Sequence, residues 1–470
     1  MTKAVNQYLS RYSTLIDSAA FCNVLNNVLG NVFGNDASKD LAGFSNTSWQ
    51  QALVIPAFAE TPHFLHRLAA LTCEQHSLVI LVINCPSYAS QRDQDDTQRL
   101  IEHIKAHHTI ENVRQGVTFG QLNSRLDLLS LDITVQREDW LKPLQSGVGF
   151  ARKVGMDIAT ALWQQGYLHN PWVLNSDADA WWPEDYLIAT RAVTGARGAW
   201  VLPYLHQQNR DSDTVSPAAA LYELSLRYYV LGLRWSGSPW AYHTIGSTQA
   251  IHCESYAAIR GFPIREAGED FYLLNKIAKI APVHCPAGPL IRLSDRASTR
   301  VPFGTGPAVK RISEHAAPDE DFVLYEPNIF TELKRWHQQI PGIAASGSMA
   351  PAEQALSDNL LAGLQALGLQ KALTHCQQQA KTAAQFQRHL WQWFDGFRTL
   401  KLVHWLRDHG HPSISYRQWR ERAQKHNIPF VPWPMDNTLP TTRITQGDPM
   451  CGYLEKLEIS TLPFSGGLQN

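Results

Sequence analysis

Apolar strands and amphipathic helices alternate through much of this chain. Residues 51–56 (Gln-Ala-Leu-Val-Ile-Pro) form a short apolar run without polar alternation, as expected of a strand covered on both faces. Residues 64–71 carry apolar positions at helical spacing. Residues 78–83 (Leu-Val-Ile-Leu-Val-Ile) are a second buried strand, stopped by Asn84-Cys85-Pro86-Ser87. A polar stretch at 90–97 leads into a helix that runs through residue 104. Strand, helix, strand, helix predicts a right-handed parallel β-α-β unit. Residues 126–135 supply a further strand.

Gly147-Val148-Gly149 then opens a helix with Ala151, Val154, Ile158, Ala161, Leu162 and Gln165 on one face and Arg152, Lys153 and Asp157 largely elsewhere. Residues 171–174 lead into Asn175-Ser176-Asp177-Ala178-Asp179-Ala180-Trp181-Trp182. Beyond it, 183–192 read as helix, 198–204 as strand, and 218–235 as a long apolar and aromatic helix. Residues 244–252 read as strand and 254–259 as a short helix. After the turn Gly261-Phe262-Pro263, Gly268-Glu269-Asp270-Phe271 opens another helix, acidic in front and apolar behind. Residues 280–306 are loop-rich. From about residue 311 the pattern is helical, at 351–367, 371–381 and 386–406. The last segment carries the stripe Leu390, Trp393, Phe397, Leu400, Val403 and Leu406, interrupted by Gly396. The tail from 429 is proline-rich and poorly periodic. The expectation is an α/β fold: a helical lead-in over 1–48, a mostly parallel sheet domain over 49–310, and a mainly helical region over 311–470.

Composition narrows the function classes. A chain of 470 residues with 44% hydrophobic and 18% charged residues has the length and balance of a folded, multi-domain globular protein. Its formal net charge of -1 argues against a nucleic-acid binder that relies on a basic surface. No apolar run approaches the roughly 18–20 residues that span a bilayer. The seven cysteines are odd in number and include no Cys-x-x-Cys pair, which suits reduced thiols and a cytoplasmic location. Fifteen tryptophans add aromatic faces of the kind that sugar clefts use.

The chemistry concentrates around Asp177-Ala178-Asp179. If the approach is a strand, both carboxylates point the same way. In open α/β sheets, ligands gather beyond the carboxyl ends of the strands. Two acids there repel unless a cation sits between them, and Mg²⁺ or Mn²⁺ bridging to phosphate oxygens suits that place. The plain alternative is a solvated turn. Glycines before a helix N-terminus, with Arg152 and Lys153 in its first turn, can receive a diphosphate; an ordinary amphipathic helix is the alternative. Arg292, Arg296 and Arg300, followed by Gly304-Thr305-Gly306, suit an anion clamp or a solvated basic loop.

In their order these pieces resemble the GT-A glycosyltransferases, in particular the group related to the bacterial family-two enzymes. Ile55-Pro56-Ala57-Phe58-Ala59-Glu60 is similar to the family's first strand end, with Ala59 where asparagine is usual. Phe150-Ala151-Arg152-Lys153-Val154-Gly155 followed by Asn175-Ser176-Asp177-Ala178-Asp179 resembles its Arg-bearing helix and Asp-x-Asp strand. Gly246-Ser247-Thr248-Gln249-Ala250, Arg260-Gly261-Phe262 and Gly268-Glu269-Asp270-Phe271 follow in the family's order. The resemblance covers roughly residues 50–305. It departs at Asn84, because the family usually ends its second strand in an acidic loop that holds the nucleobase and ribose. An amide there can hydrogen-bond a base but cannot serve as the acid does.

The resemblance implies a metal-dependent glycosyltransferase with a nucleotide-sugar donor. Pro56, Ala57, Glu60, Asn84, Arg152, Lys153, Asp177, Arg296 and Arg300 would contact that donor. Asp177 and Asp179 would hold Mn²⁺ or Mg²⁺, with His284 as an extra ligand. Asp270, or Glu269 as its alternate, would take the proton from the acceptor hydroxyl and make the reaction inverting; if both only orient the sugar, a retaining reaction remains open. Trp181, Trp182, Trp235 and Trp240 would line the acceptor site, the acceptor being a sugar, a lipid-linked compound or a small molecule. A nucleotidyltransferase would want a glycine-rich basic loop after the first strand, and residues 56–62 contain no Gly, Arg or Lys. A related domain without activity, acting as a scaffold through residues 311–470, is the reading outside enzymes.

Overall fold

The computed structural model describes residues 3–33, 48–134, 141–142, 147–193, 195, 197–207, 216–265, 267–296, 304–425, 427–431 and 464–466. Its strands are β1 (Gln51–Ala57), β2 (Ser77–Ile83), β3 (Thr109–Arg114), β4 (Val117–Asn123), β5 (Leu126–Asp132), β6 (Trp172–Asn175), β7 (Ala199–Val201), β8 (Tyr204–Gln207), β9 (Gln249–His252), β10 (Val283–Cys285), β11 (Ile291–Ser294), β12 (Val323–Leu324), β13 (Ile414–Ser415) and β14 (Phe464–Gly466). Ten of them form one sheet in the order β14-β10-β7-β9-β6-β1-β2-β5-β4-β3.

The centre of this sheet is parallel. β1 pairs in parallel with β2 and β6, and β2 with β5. β9 runs against both β6 and β7, while β10 is parallel to β7. β4 runs against β5, β3 against β4, and β14 against β10. Only β4, β9 and β14 therefore oppose the common direction, so the sheet is mostly parallel. β8 and β11 form a separate parallel pair.

Alternate residues of the central strands enter two different cores. Ala52, Val54, Leu78, Ile80 and Val82 face one core, and Leu53, Ile55, Val79, Leu81 and Ile83 the other. Both faces are covered, which is why these strands read as unbroken apolar runs.

The helices that matter for the cleft are α1 (Lys3–Arg11), α2 (Ser18–Phe33), α3 (His63–Ala69), α4 (Gln91–His107), α5 (Val148–Gln164), α6 (Tyr186–Ala189), α7 (Pro217–Trp235), α8 (Cys253–Ala258), α9 (Glu269–Ile277) and α10 (Thr305–Ser313). α3 and α4 cover one sheet face and α5 the other. α7 packs with later helices, among them Asn328–Ser346 and Gly396–Asp408, around Trp336, Leu360 and Trp419.

Several sequence expectations change here. α5 is buried nearly all round, Arg152, Lys153 and Asp157 included, so it has no solvated face. It lies under the lead-in: Tyr8, Thr14 and Tyr256 all donate hydrogen bonds to the buried Asp157 carboxylate. The 198–204 strand is two strands, broken around Pro203, which has no N–H to give a ladder. The stretch at 280–306 contains β10 and β11. The 386–406 helix is two, Ala383–Trp393 and Gly396–Asp408, because Asp395 caps the second by accepting from the Arg398 N–H at 3.0 Å. The β3–β4 hairpin and the helix Asn328–Ser346 had no sequence expectation at all. The proline-rich tail lies almost wholly outside the described residues.

Close packing of α5 on the sheet gives a stability test. A Cβ at Gly155 would press on the stiff Val54 and Val82 side chains. Gly155→Ala should therefore destabilise the protein by about 1–3 kcal/mol despite alanine's better helix propensity, as read by chemical denaturation.

Candidate functional site

β1, β2 and β6 run in the same direction, so the loops after Ala57, Ile83 and Asn175 meet at one edge of the sheet. There they border a cleft of about 450 Å³ lined by residues that include Pro56, Glu60, Asn84, Arg152, Asp177, Asp179, Glu269, Asp270 and Arg296. That volume lies within the usual range of small-molecule sites, roughly 300–1,000 Å³.

The Asp177–Asp179 segment is a turn, not a strand continuation. β6 ends at Asn175, and Ala180 N–H donates to Asp177 O at 3.1 Å. The turn is firmly held. Ser176 N–H donates to Val54 O, and Trp182 Nε1 donates to Ser176 Oγ at 2.9 Å. Trp181 exchanges backbone hydrogen bonds with Arg292, and Arg67 donates to the Ala178 carbonyl at 2.6 Å. The two carboxylates meet different guanidiniums: Asp177 pairs with Arg152 at 2.5 Å, and Asp179 with Arg296 at 3.0 Å.

Arg152 ties the cleft together from beneath. It is 3% exposed; its Nε donates to Glu269 Oε1 at 2.9 Å and its Nη2 to Asp177. A Cβ at Gly246 would lie 2.8 Å from Arg152 Nη2, so a glycine is needed beside the guanidinium. α5 begins at Gly147, whose φ of 98° places it in the left-handed region. Arg296 also pairs with Glu60 at 2.5 Å.

Acid outweighs base in this cleft. Glu60, Asp177, Asp179, Glu269 and Asp270 face only Arg152 and Arg296 among the lining Arg and Lys residues described. Burial, then the nearby Asp179, pushes Glu60 up to about 8, with Arg296 pulling the other way. Burial and the adjacent Glu269 raise Asp270 to about 7. Burial also raises Asp177 and Glu269, against the opposing pull of Arg152. Asp177's side chain is 36% exposed, so water limits its rise.

Three of the expected contacts are not brought to the cleft. Ala57 is buried in the sheet core. Lys153 turns away from the cleft; it is 5% exposed and sits 3.4 Å from Asp157. His284 lies on β10 with its ring beside Trp200 and does not line the cleft. The tryptophans brace the fold instead. Trp181 and Trp182 anchor the turn, Trp240 is buried and donates to Phe394 O, and Trp235 packs on Phe430. Arg300 lies outside the described residues.

The structure adds residues that the sequence reading passed over. Tyr88 follows β2 and lines the cleft at 60% exposure. His206 lines it from β8, with Nδ1 2.8 Å from Glu223 Oε1 and Nε2 3.3 Å from Thr305 Oγ1. Burial pushes Glu223 up, but Arg227 and His206 outweigh it and hold it low. The available signal was Glu223 and Arg227, charged residues four apart in a mostly apolar helix whose other charge, Arg234, lies in the last turn. Ala59 adopts a φ of 50°, a conformation that asparagine tolerates better than alanine.

Among the described residues, no three His, Cys, Asp or Glu side chains form a ready metal cage. Mg²⁺ needs no such cage, because one or two carboxylates together with substrate phosphates commonly hold it. The excess of oxygen donors at Asp177 and Asp179 fits that requirement. No described helix is long and apolar enough to cross a membrane.

No known protein-family profile matches the chain, and no curated protein matches it. Solved structures do show likeness. S. aureus TarS 1–349 in complex with UDP-GlcNAc is 13% identical, with 80% of this chain and 92% of that one covered and a TM-score of 0.31. The mannosyltransferase PcManGT from Pyrobaculum calidifontis, in complex with GDP-Man and Mn²⁺, is 16% identical, with 79% and 94% covered and a TM-score of 0.29. The bifunctional glycosyltransferase WbbM is 9% identical, with 49% and 37% covered and a TM-score of 0.25. Likeness this distant carries no argument about activity, which has to rest on the cleft itself.

The raised carboxyls predict a pH dependence. In the folded chain Glu60 and Asp270 keep protons that the unfolded chain releases near pH 4, so stability falls as pH rises through their folded values. Denaturation midpoints should decline between about pH 4.5 and 8, and Glu60→Gln should flatten that decline.

Proposed function

We propose that the chain is a glycosyltransferase of the GT-A arrangement, moving a sugar from a nucleotide-sugar donor to an acceptor hydroxyl with inversion. The observation that carries this reading is Asp270. It opens α9 at the cleft, and its carboxyl is held at about 7 across from the Asp177–Asp179 turn. A base is most effective with a pKa near the working pH, where it is both available and strong enough to take a proton. Asp270 is the proposed base, accepting the acceptor hydroxyl's proton on its carboxylate. Glu269, engaged by Arg152, is the proposed positioning residue that keeps α9 in register with the turn.

Asp179 and Asp177 are the residues that would hold Mn²⁺ or Mg²⁺. Bound there, the ion would stabilise charge developing on the diphosphate leaving group. Arg296, 40% exposed, is close enough to release Asp179 and turn toward a phosphate. Asn84 and Tyr88, beyond β2, are assigned to the nucleobase, the tyrosine by stacking. Within this proposal residues 49–310 carry the chemistry, 1–48 latch onto its central helix, and 311–470 supply a helical support. The acceptor is left as a sugar, lipid-linked or small-molecule hydroxyl.

The test follows release of nucleoside diphosphate from a panel of UDP- and GDP-sugars with Mn²⁺ present. Asp270→Asn should lower turnover by about 10²- to 10⁴-fold while donor affinity stays within a few-fold. Asp179→Ala should weaken donor binding. An Asp270→Asn protein that turns over at the wild-type rate would remove the assigned base.

A further inference from the structure

A strip of aromatic rings and cations leads from the cleft mouth over α9 to the helix Gly396–Asp408. Phe271 lines the cleft. Its ring centroid lies 5.5 Å from that of Tyr272, which in turn lies 5.8 Å from that of Phe397. All three rings are half-buried. The Arg265 guanidinium carbon stands over Tyr272, 3.9 Å from its centroid, and Lys401 Nζ over Phe397 at 4.6 Å. Polar contacts clamp the two helices together here: Gly396 N–H donates to Asn275 Oδ1 at 2.9 Å, and Lys279 Nζ donates to Asp395 at 2.5 Å.

Two details set this strip apart from an ordinary solvated basic surface. First, Arg265, Lys276 and Lys401 are exposed and have no ion-pair partner among the described residues. A guanidinium held over a ring keeps its N–H donors free for two parallel hydrogen bonds to a carboxylate or phosphate. The ring also holds the side chain in place before an anion arrives, which lowers the entropy lost on binding. Second, the strip is continuous with the cleft. Ala267 and Gly268 line the cleft, and Arg265 O accepts from Gly149 N–H at 3.3 Å, beside the lining residue Val148. Burial, then the cations Arg260 and Arg265, lower Lys276 from its ordinary value. Positive charge is thus concentrated on this flank, next to a cleft that is acidic.

We propose that this strip binds the acceptor, and that the acceptor is an anionic saccharide whose carboxylate or phosphate group is held by Arg265 while its reacting hydroxyl reaches Asp270. Lys276 and Lys401 add attraction along the same flank. The cleft's own acids repel an anionic group that brings no cation with it, so the charge of such an acceptor is held outside the cleft and only its hydroxyl enters. Phe397 and Lys401 give the C-terminal helices a share in acceptor binding. The word acceptor rests on the transferase reading; the binding of an anionic saccharide at Arg265 does not.

Isothermal titration of the full chain with an oligogalacturonate, a phosphorylated oligomannoside and neutral maltohexaose, all without nucleotide, tests this. Wild type is compared with Arg265→Ala and Arg265→Lys. The expected result is that an anionic saccharide binds wild type and maltohexaose does not; the tighter of the two anionic probes names the charged group. Arg265→Ala should weaken binding roughly tenfold or more, the loss of a hydrogen bond to a charged group. Arg265→Lys, which keeps the charge and loses the planar fork, should also weaken it. Both variants should melt with the wild type and bind UDP or GDP with Mn²⁺ as the wild type does. Failure of both anionic probes to bind, equal binding of maltohexaose, or binding indifferent to Arg265→Ala would overturn the proposal. So would an equal loss of nucleotide binding in Arg265→Ala, which would place Arg265 on the donor. Arg265-dependent saccharide binding in a chain that turns over no nucleotide sugar would keep this site and overturn the transferase reading instead.

Discussion

One buried guanidinium holds the cleft in shape. Arg152 is almost wholly removed from water, which costs several kcal/mol unless its charge is met. Asp177 meets it from the turn after β6, and Glu269 from the first turn of α9. Three segments distant in sequence are thereby fixed relative to one another. The rest of the structure supports this contact. α5 is packed on all sides, Gly246 gives the guanidinium room, and the lead-in helix locks Asp157 one turn further along α5. Removing both carboxylates would strand a buried charge, at a cost of about 3–5 kcal/mol, whereas removing one leaves the other in place.

The same contact shapes the chemistry at the cleft mouth. Arg152 neutralises Asp177 and Glu269, and Arg296 reaches only Glu60 and Asp179. Asp270 has no salt-bridge partner of its own among the described residues, and burial beside Glu269 raises it. A carboxyl near neutrality thus follows from burial beside a second carboxylate, with Arg152 pulling the other way. The apolar walls contributed by Phe58, Leu226 and Phe271 lower the local polarity further.

Much of the sheet was legible because burial on both faces leaves a direct mark. The runs at 51–56 and 78–83 became β1 and β2 within a residue or two. Asp177, Asp179, Glu269 and Asp270 were legible as acids at element ends, and all four line the cleft. Other features depend on contacts between residues far apart in sequence. Helical spacing suggested a solvated face for Arg152 and Lys153, but Tyr8 of α1 and Tyr256 of α8 cover Lys153, and the turn after β6 and α9 enclose Arg152. Trp181 and Trp182 gave an aromatic signal that a sugar site and a braced turn would share, and only the bonds to Arg292 and Ser176 distinguish them. The Glu223–His206 pair joins α7 to β8, a link that periodicity cannot report.

The central claim is that the acidic edge of the sheet receives a nucleoside diphosphate with a divalent ion. Isothermal titration of UDP and GDP, each with and without Mn²⁺, into the wild type and Asp179→Ala tests it most directly. The account predicts that one nucleotide binds, that Mn²⁺ tightens it, and that Asp179→Ala removes the metal's contribution. Failure of both nucleotides to bind with Mn²⁺ present, or binding indifferent to Asp179→Ala, would contradict it.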